Sequence, residues 1–173
     1  MTNIYLIYFI LNNYTQRVIN YLNLESIEEE NWVKNYSSKF NNEKWLSYYV
    51  NNSQQGGGTE ILIRLPKPST EDLLNIVINS QCENEVETGC LILLNNEEIS
   101  KTEFRSRLIQ ELEKNGDQKR QKTIIDITNL TSTINRREII GKSLNQINED
   151  ENYFKNISER AIKIETANNR GSR

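Results

Sequence analysis

Histidine is absent from this 173-residue chain, and cysteine, proline and methionine are scarce, at two, two and one residue. Without an imidazole there is no Ser-His-Asp or Cys-His nucleophile pair, no His-ligated zinc, and none of the commonest general base near neutral pH. The two cysteines, Cys82 and Cys90, lie eight positions apart. On one helix that separation is too long to bridge, so reduced, buried thiols and a cytosolic setting are expected. No apolar run reaches the roughly 20 residues a membrane-spanning helix needs. Ile4 to Leu11 comes nearest. It has no basic residue before it and no small-residue cleavage site after it, so it reads as a core element and not as a signal sequence.

What the chain does have is charge and amide. Charged residues make up 26% and hydrophobic residues 36%, with a formal charge of −3 and a mean hydropathy of −0.70. The length predicts one globular domain with one sizeable core. The 25 asparagines are scattered and not tracted, which excludes a prion-like reading. The lack of a basic excess argues against a general nucleic-acid binder.

Hydrophobic periodicity predicts a mostly α chain. Residues 4–23 carry apolar positions at three- and four-residue steps and read as an amphipathic helix, with a buried strand over 4–11 as the alternative. Trp32, Tyr36 and Phe40, four apart, suggest a second helix. Trp45 to Val50 either ends a helix or begins a strand. Ser53-Gln54-Gln55-Gly56-Gly57-Gly58 is a loop, because three glycines add entropy that a regular element would have to overcome. Beyond it, Glu60 to Leu65, bounded by Pro66 and Pro68, is a short extended segment.

From Ser69 the helical pattern is regular. Ser69 with Asp72 resembles a helix start, and Ser100-Lys101-Thr102-Glu103 matches a capping box that opens a helix over 102–115. Further helices are expected at 83–96, at 119–133, from an Asn135 cap with Glu138 through Ile147, and over 153–164. The cap candidates Ser69, Ser100 and Asn135 are spaced close to the period of two-helix repeats. The expected architecture is one domain over 1–170: a helical part at 1–55, a Gly/Pro-bounded connector at 56–68, and antiparallel helical hairpins at 69–167. HEAT-like stacking and an irregular bundle both fit. Gly171-Ser172-Arg173 resembles a vector-derived remnant.

Chemistry-bearing motifs are few. The triple glycine has no Lys-Ser or Lys-Thr after it and is a turn, not a phosphate cradle. Glu83, Glu85, Glu87, Glu97, Glu98 and Glu103 lack the spacing and the glycine of a calcium loop. No catalytic residue, metal site or cofactor is assigned. Charge is nonetheless distributed unevenly: residues 1–66 hold 6 acidic against 5 basic groups, residues 67–115 hold 10 against 5, and residues 116–173 hold 8 against 11. The acidic middle suits docking of a basic protein. In the basic last third, Lys119, Arg120, Lys122, Arg136 and Arg137 offer phosphate contacts, but no aromatic stacking platform accompanies them.

Glu43-Lys44-Trp45-Leu46-Ser47-Tyr48-Tyr49-Val50, then Gly56-Gly57-Gly58, then Ile61 to Pro68, followed by helical hairpins with Glu83 to Asn96, resembles the small bacterial immunity proteins of contact-dependent inhibition and other polymorphic toxin systems. The resemblance implies a cytosolic protein that is not an enzyme. Such a protein binds the toxin domain of its cognate effector, often a nuclease, and blocks its active site or a surface it needs. The partner contacts expected on this reading are Tyr48, Tyr49, Glu83, Glu85, Glu87, Glu97 and Glu98, with no role for a membrane or nucleic acid. The alternative is a helical-repeat scaffold or regulatory protein with a phosphate-facing basic third.

Overall fold

A computed structural model describes residues 8–10, 15–30, 32–50, 57–137 and 140–171. The elements run β1 (Tyr8–Ile10), α1 (Thr15–Tyr21), β2 (Leu24–Glu30), β3 (Val33–Ser38), β4 (Lys44–Val50), β5 (Thr59–Arg64), α2 (Thr70–Asn79), α3 (Glu83–Ser100), α4 (Arg105–Lys114), α5 (Gln118–Thr128) and α6 (Leu144–Gly171). The chain divides into two compact units, Met1–Ile92 and Leu93–Arg173, with the boundary inside α3.

The first unit is built on a five-stranded sheet of order β1-β5-β4-β3-β2, antiparallel throughout. The fold is therefore α+β, which corrects the mostly α, helical-hairpin expectation. Directly opposed residues share a sheet face. Ser26 opposes Tyr36, Tyr36 opposes Trp45, and Trp45 opposes Arg64. On this face Leu24, Tyr36, Trp45 and Leu62 form a buried cluster, against which Val18, Ile19 and Leu22 pack. The opposite face buries Leu46, Val50, Ile61 and Ile63. Because β5 is apolar on both sides, Ile61-Leu62-Ile63 reads as an unbroken hydrophobic run; it is an inner strand with a neighbour on each edge.

The helical reading of residues 1–55 fails for identifiable reasons. Tyr36 is buried, but Trp32 and Phe40, which completed the four-residue spacing, are 75% and 80% exposed in the turns that flank β3. Asn23 and Asn42 take left-handed backbone angles of +50° and +56°. Asparagine tolerates that conformation better than most residues, and here it reverses the chain on either side of the β2–β3 hairpin. Of the helix expected over 4–23, the C-terminal part exists as α1 and Tyr8–Ile10 is a strand; residues 4–7 and 11–14 lie outside the described residues. So do Ser53 to Gly56 of the expected loop, while Gly57 and Gly58 lead into β5 at φ +87° and +83°.

Beyond Pro68 the helices expected after Ser69, at 83–96, at 102–115, at 119–133 and over 153–164 form with different boundaries, but the separate helix expected from Asn135 through Ile147 does not; only its end, from Leu144, is helical, as the start of α6. Ser69 and Asp72 make a reciprocal capping box on α2, as the sequence predicts. Ser100 starts nothing; it ends α3. Lys101 turns left-handed at φ +54°, and the Thr102 N–H closes back on the Asn96 carbonyl at 3.3 Å, a Schellman-type stop. The next helix, α4, begins at Arg105, where the Glu103 carboxylate accepts from the Ser106 N–H at 2.8 Å. Asp117 caps α5 through the Arg120 N–H, and Asn129 ends it at φ +50°.

Asn135 caps no helix either. Ser143 and Gln146 cap α6: the Ser143 N–H donates to Gln146 Oε1 at 2.9 Å, and the Gln146 N–H to Ser143 Oγ at 3.4 Å. Glu138 and Ile139 lie outside the described residues. With Ser100 and Asn135 lost as caps, the repeat period dissolves. In the second unit α6 packs on α4 and α5, around a core of Phe104, Leu108, Leu112, Ile124, Phe154, Ile157 and Ala161.

Candidate partner-binding surface

In the first unit the large hydrophobic residues left exposed, among those described, are Tyr21 (78%), Ile27 (61%), Trp32 (75%) and Phe40 (80%). Ile27 and Trp32 belong to the β2–β3 hairpin, Phe40 to the turn after β3, and Tyr21 ends α1 just before β2. Every β2 residue after Leu24 is exposed, and four of them are Glu25, Glu28, Glu29 and Glu30.

A register shift between Ser26 and Glu28 distributes these carboxylates. In an uninterrupted strand Glu25 would share a face with Ile27 and Glu29. The bulge instead sets Glu25 opposite Ser37, Glu28 opposite Asn35 and Glu30 opposite Val33, so these three glutamates share one face. Glu29 goes to the other face, opposite Lys34, with an ion pair of 3.6 Å.

Trp32, in the β2–β3 turn, has φ +68°. That angle suits Gly or Asn and is strained for a bulky side chain. The indole meets Tyr49 edge-on, with ring centroids 6.0 Å apart, and otherwise faces solvent.

Beside this contact Ser47, fully buried, donates to Glu60 Oε1 at 2.6 Å. Lys34 opposes Ser47 across the strands. Burial pulls the Lys34 ammonium down, but Glu29, Tyr36, Glu60 and Tyr49 together hold it above its ordinary value. A protonated lysine does not activate a serine whose hydroxyl is already committed to a carboxylate. The group is a structural network.

The seven contact residues expected from sequence fall in several places. Tyr48 and Tyr49 are consecutive on β4 and point to opposite faces. Tyr48 lies under the Lys67 ammonium, 5.4 Å from the ring centroid, and burial pushes its hydroxyl up to about 12. Only Tyr49 adjoins the exposed aromatic surface, through Trp32. Glu83 is exposed in the first turn of α3 and Glu87 is half-buried one turn on. Glu85 is buried and accepts from the Ser80 hydroxyl. Glu97 is consumed by Arg105, and Glu98 is exposed. The exposed residues of this surface that stand outside the expected contact set are Tyr21, Ile27, Glu28, Glu30, Trp32 and Phe40. Their signal was a run of glutamates between aromatics, which also reads as a polar linker.

The second unit holds a small cleft lined by Glu97, Lys101, Thr102, Glu103, Arg136, Arg137 and Tyr153. Arg137 stacks on Tyr153 at 4.2 Å and pairs with Asp150 at 2.6 Å; Lys142 pairs with the same carboxylate. Tyr153 donates to Glu103, and burial with that carboxylate raises its hydroxyl. Elsewhere in the basic third, Arg120 meets Asp117 at 3.6 Å and Lys122 meets Asp126 at 3.2 Å. Of the five cations singled out in the basic third, Arg120, Lys122 and Arg137 are thus paired with carboxylates.

Among the described residues no cluster of three or more Cys, Asp or Glu could hold a metal ion, and no helix is long and apolar enough to cross a membrane. No protein-family model, curated protein or solved structure matches this chain.

Proposed function

We propose that this chain is an immunity-type inhibitor that acts in the cytoplasm by binding a cognate toxin domain, a basic nuclease, through protein–protein contact. The observation that carries the reading is Trp32. A tryptophan held at φ +68° and 75% exposed serves neither its turn nor the core. Tryptophan and tyrosine are the usual anchors of protein interfaces; Ile27 in the middle of the acidic strand β2, and Tyr21 and Phe40 beyond its other end, add further exposed apolar area. Unlike charges on the two partners speed association and select between competitors.

The test is co-expression with the product of the neighbouring gene, followed by size-exclusion chromatography and a growth-rescue assay. A one-to-one complex that rescues growth supports the reading; no complex and no rescue overturns it. The Trp32→Asn variant is expected to keep the wild-type unfolding midpoint, because asparagine suits the backbone angle, while binding weakens by about tenfold or more.

A further inference from the structure

We infer that β2 is the docking edge, and that its occupant is an extended basic segment of the partner protein, added to the sheet as a sixth strand. This inference rests on the reading of the chain as a binder of a basic protein.

The backbone argument comes first. β2 ends the strand order and, among the described residues, pairs only with β3. Alternate N–H and C=O groups of an edge strand face outward and can pair with another chain. Acidic side chains alone would be ordinary protection of such an edge. Protection does not account for Ile27 in the middle of the strand, Trp32 at one end, and Tyr21 and Phe40 at the other, all more than half exposed.

Charge then selects the occupant. A second copy of the chain would set glutamate against glutamate, which is destabilising. A partner strand with lysine or arginine at alternate positions matches the face on which the bulge collects Glu25, Glu28 and Glu30. Glu28 and Glu30 are exposed, whereas Glu25 and Glu29 make loose pairs with Lys39 and Lys34, at 3.7 and 3.6 Å. The bulge also breaks the edge into two short stretches, which resists indiscriminate pairing while leaving room for a segment whose charges fit.

The experiment uses the full chain and two labelled ten-residue peptides, one alternating lysine with valine and one alternating glutamate with valine. Fluorescence anisotropy reads binding, and hydrogen exchange reads residues 24–30. Expected are preferential binding of the lysine peptide, slowed exchange in β2, and about a tenfold loss in the Glu28→Lys/Glu30→Lys double variant, checked for folding by circular dichroism.

Equal binding of both peptides, or binding with β2 exchange unchanged, overturns the inference. So does protection of β2 that appears with protein concentration alone, which would make the occupant a second copy. A toxin complex that forms and rescues growth without protecting β2 would overturn the edge while leaving the immunity reading intact. Absence of any toxin complex would overturn that reading, and the peptide result would still judge the edge.

Discussion

Arg105 holds the Glu97 carboxylate with two parallel hydrogen bonds, Nε to Oε1 at 2.6 Å and Nη2 to Oε2 at 2.7 Å, while its guanidinium is 1% exposed. The remaining nitrogen donates to the Thr128 carbonyl at 3.2 Å, and the Phe104 and Phe154 rings flank the charge. A pair like this contributes little beyond what an apolar replacement would, but removing one partner strands a buried charge. Glu97→Ala is therefore expected to cost about 3–5 kcal/mol by urea denaturation. A double replacement, Glu97→Leu with Arg105→Met, should recover most of that loss. A Glu97→Ala loss below about 1 kcal/mol would show that the guanidinium finds water.

Stability should fall with acid through Asp150. Hydrogen bonds from Lys142 and Arg137 hold its carboxyl below the ordinary value of 3.8. A carboxyl lowered in the folded state adds stability that is fully present above its unfolded pKa and is lost as pH falls through its folded one. Asp150→Asn should therefore melt lower than wild type by a constant margin above about pH 5, and the margin should shrink from about pH 4 downward. Thermal melts at half-unit steps between pH 3 and 7 read this directly. A margin independent of pH would assign the loss to packing.

Gly89 of α3 is a helix-interior glycine with a steric reason. A Cβ there would lie 2.7 Å from Val77 Cγ2 of α2. Alanine in place of glycine favours a helix by about 1 kcal/mol, but overpacking costs about 1–3 kcal/mol. The second effect should win, so Gly89→Ala destabilises the wild-type chain. In a Val77→Ala background the obstruction is gone and the same change should stabilise. Chemical denaturation of the four-member cycle measures the reversal, and additive effects would mean that α2 shifts to make room.

The local chemistry of the helices was legible in sequence, and of the sheet only β5, the extended segment expected from Glu60 to Leu65, was read outright. Ser69 and Asp72 cap as their types dictate, because a capping box depends on neighbours within one turn. Ser100 shows the limit. Its residue types fit a cap, but they equally fit the end of α3, and only the left-handed turn at Lys101 decides between them. Ser143 with Gln146 carries the same signature and does cap a helix. In the first unit a four-residue aromatic spacing outweighed alternation that lasts only a few residues per strand. Asn23 and Asn42, whose tolerance of left-handed backbone marks both turns, looked like background among so many asparagines.

The site was hidden for a related reason. An acidic stretch is solvated whether it is a linker or an edge strand, and only the pairing of β2 with β3 separates the two. Glu85 and Glu97 shared residue type and spacing with exposed neighbours, yet their roles were fixed by Ser80 and by the distant Arg105.

The strand order also sets an order of assembly. β2 through β5 follow one another as hairpins, and hairpins close within microseconds of being available. β1 instead pairs with β5, Tyr8 against Ile63 and Ile10 against Ile61. On a ribosome Tyr8 emerges long before Ile63, so the first strand made is the last that can find its place. Until then β5 is itself an open flank, and the nascent chain has unprotected sheet edges on both sides.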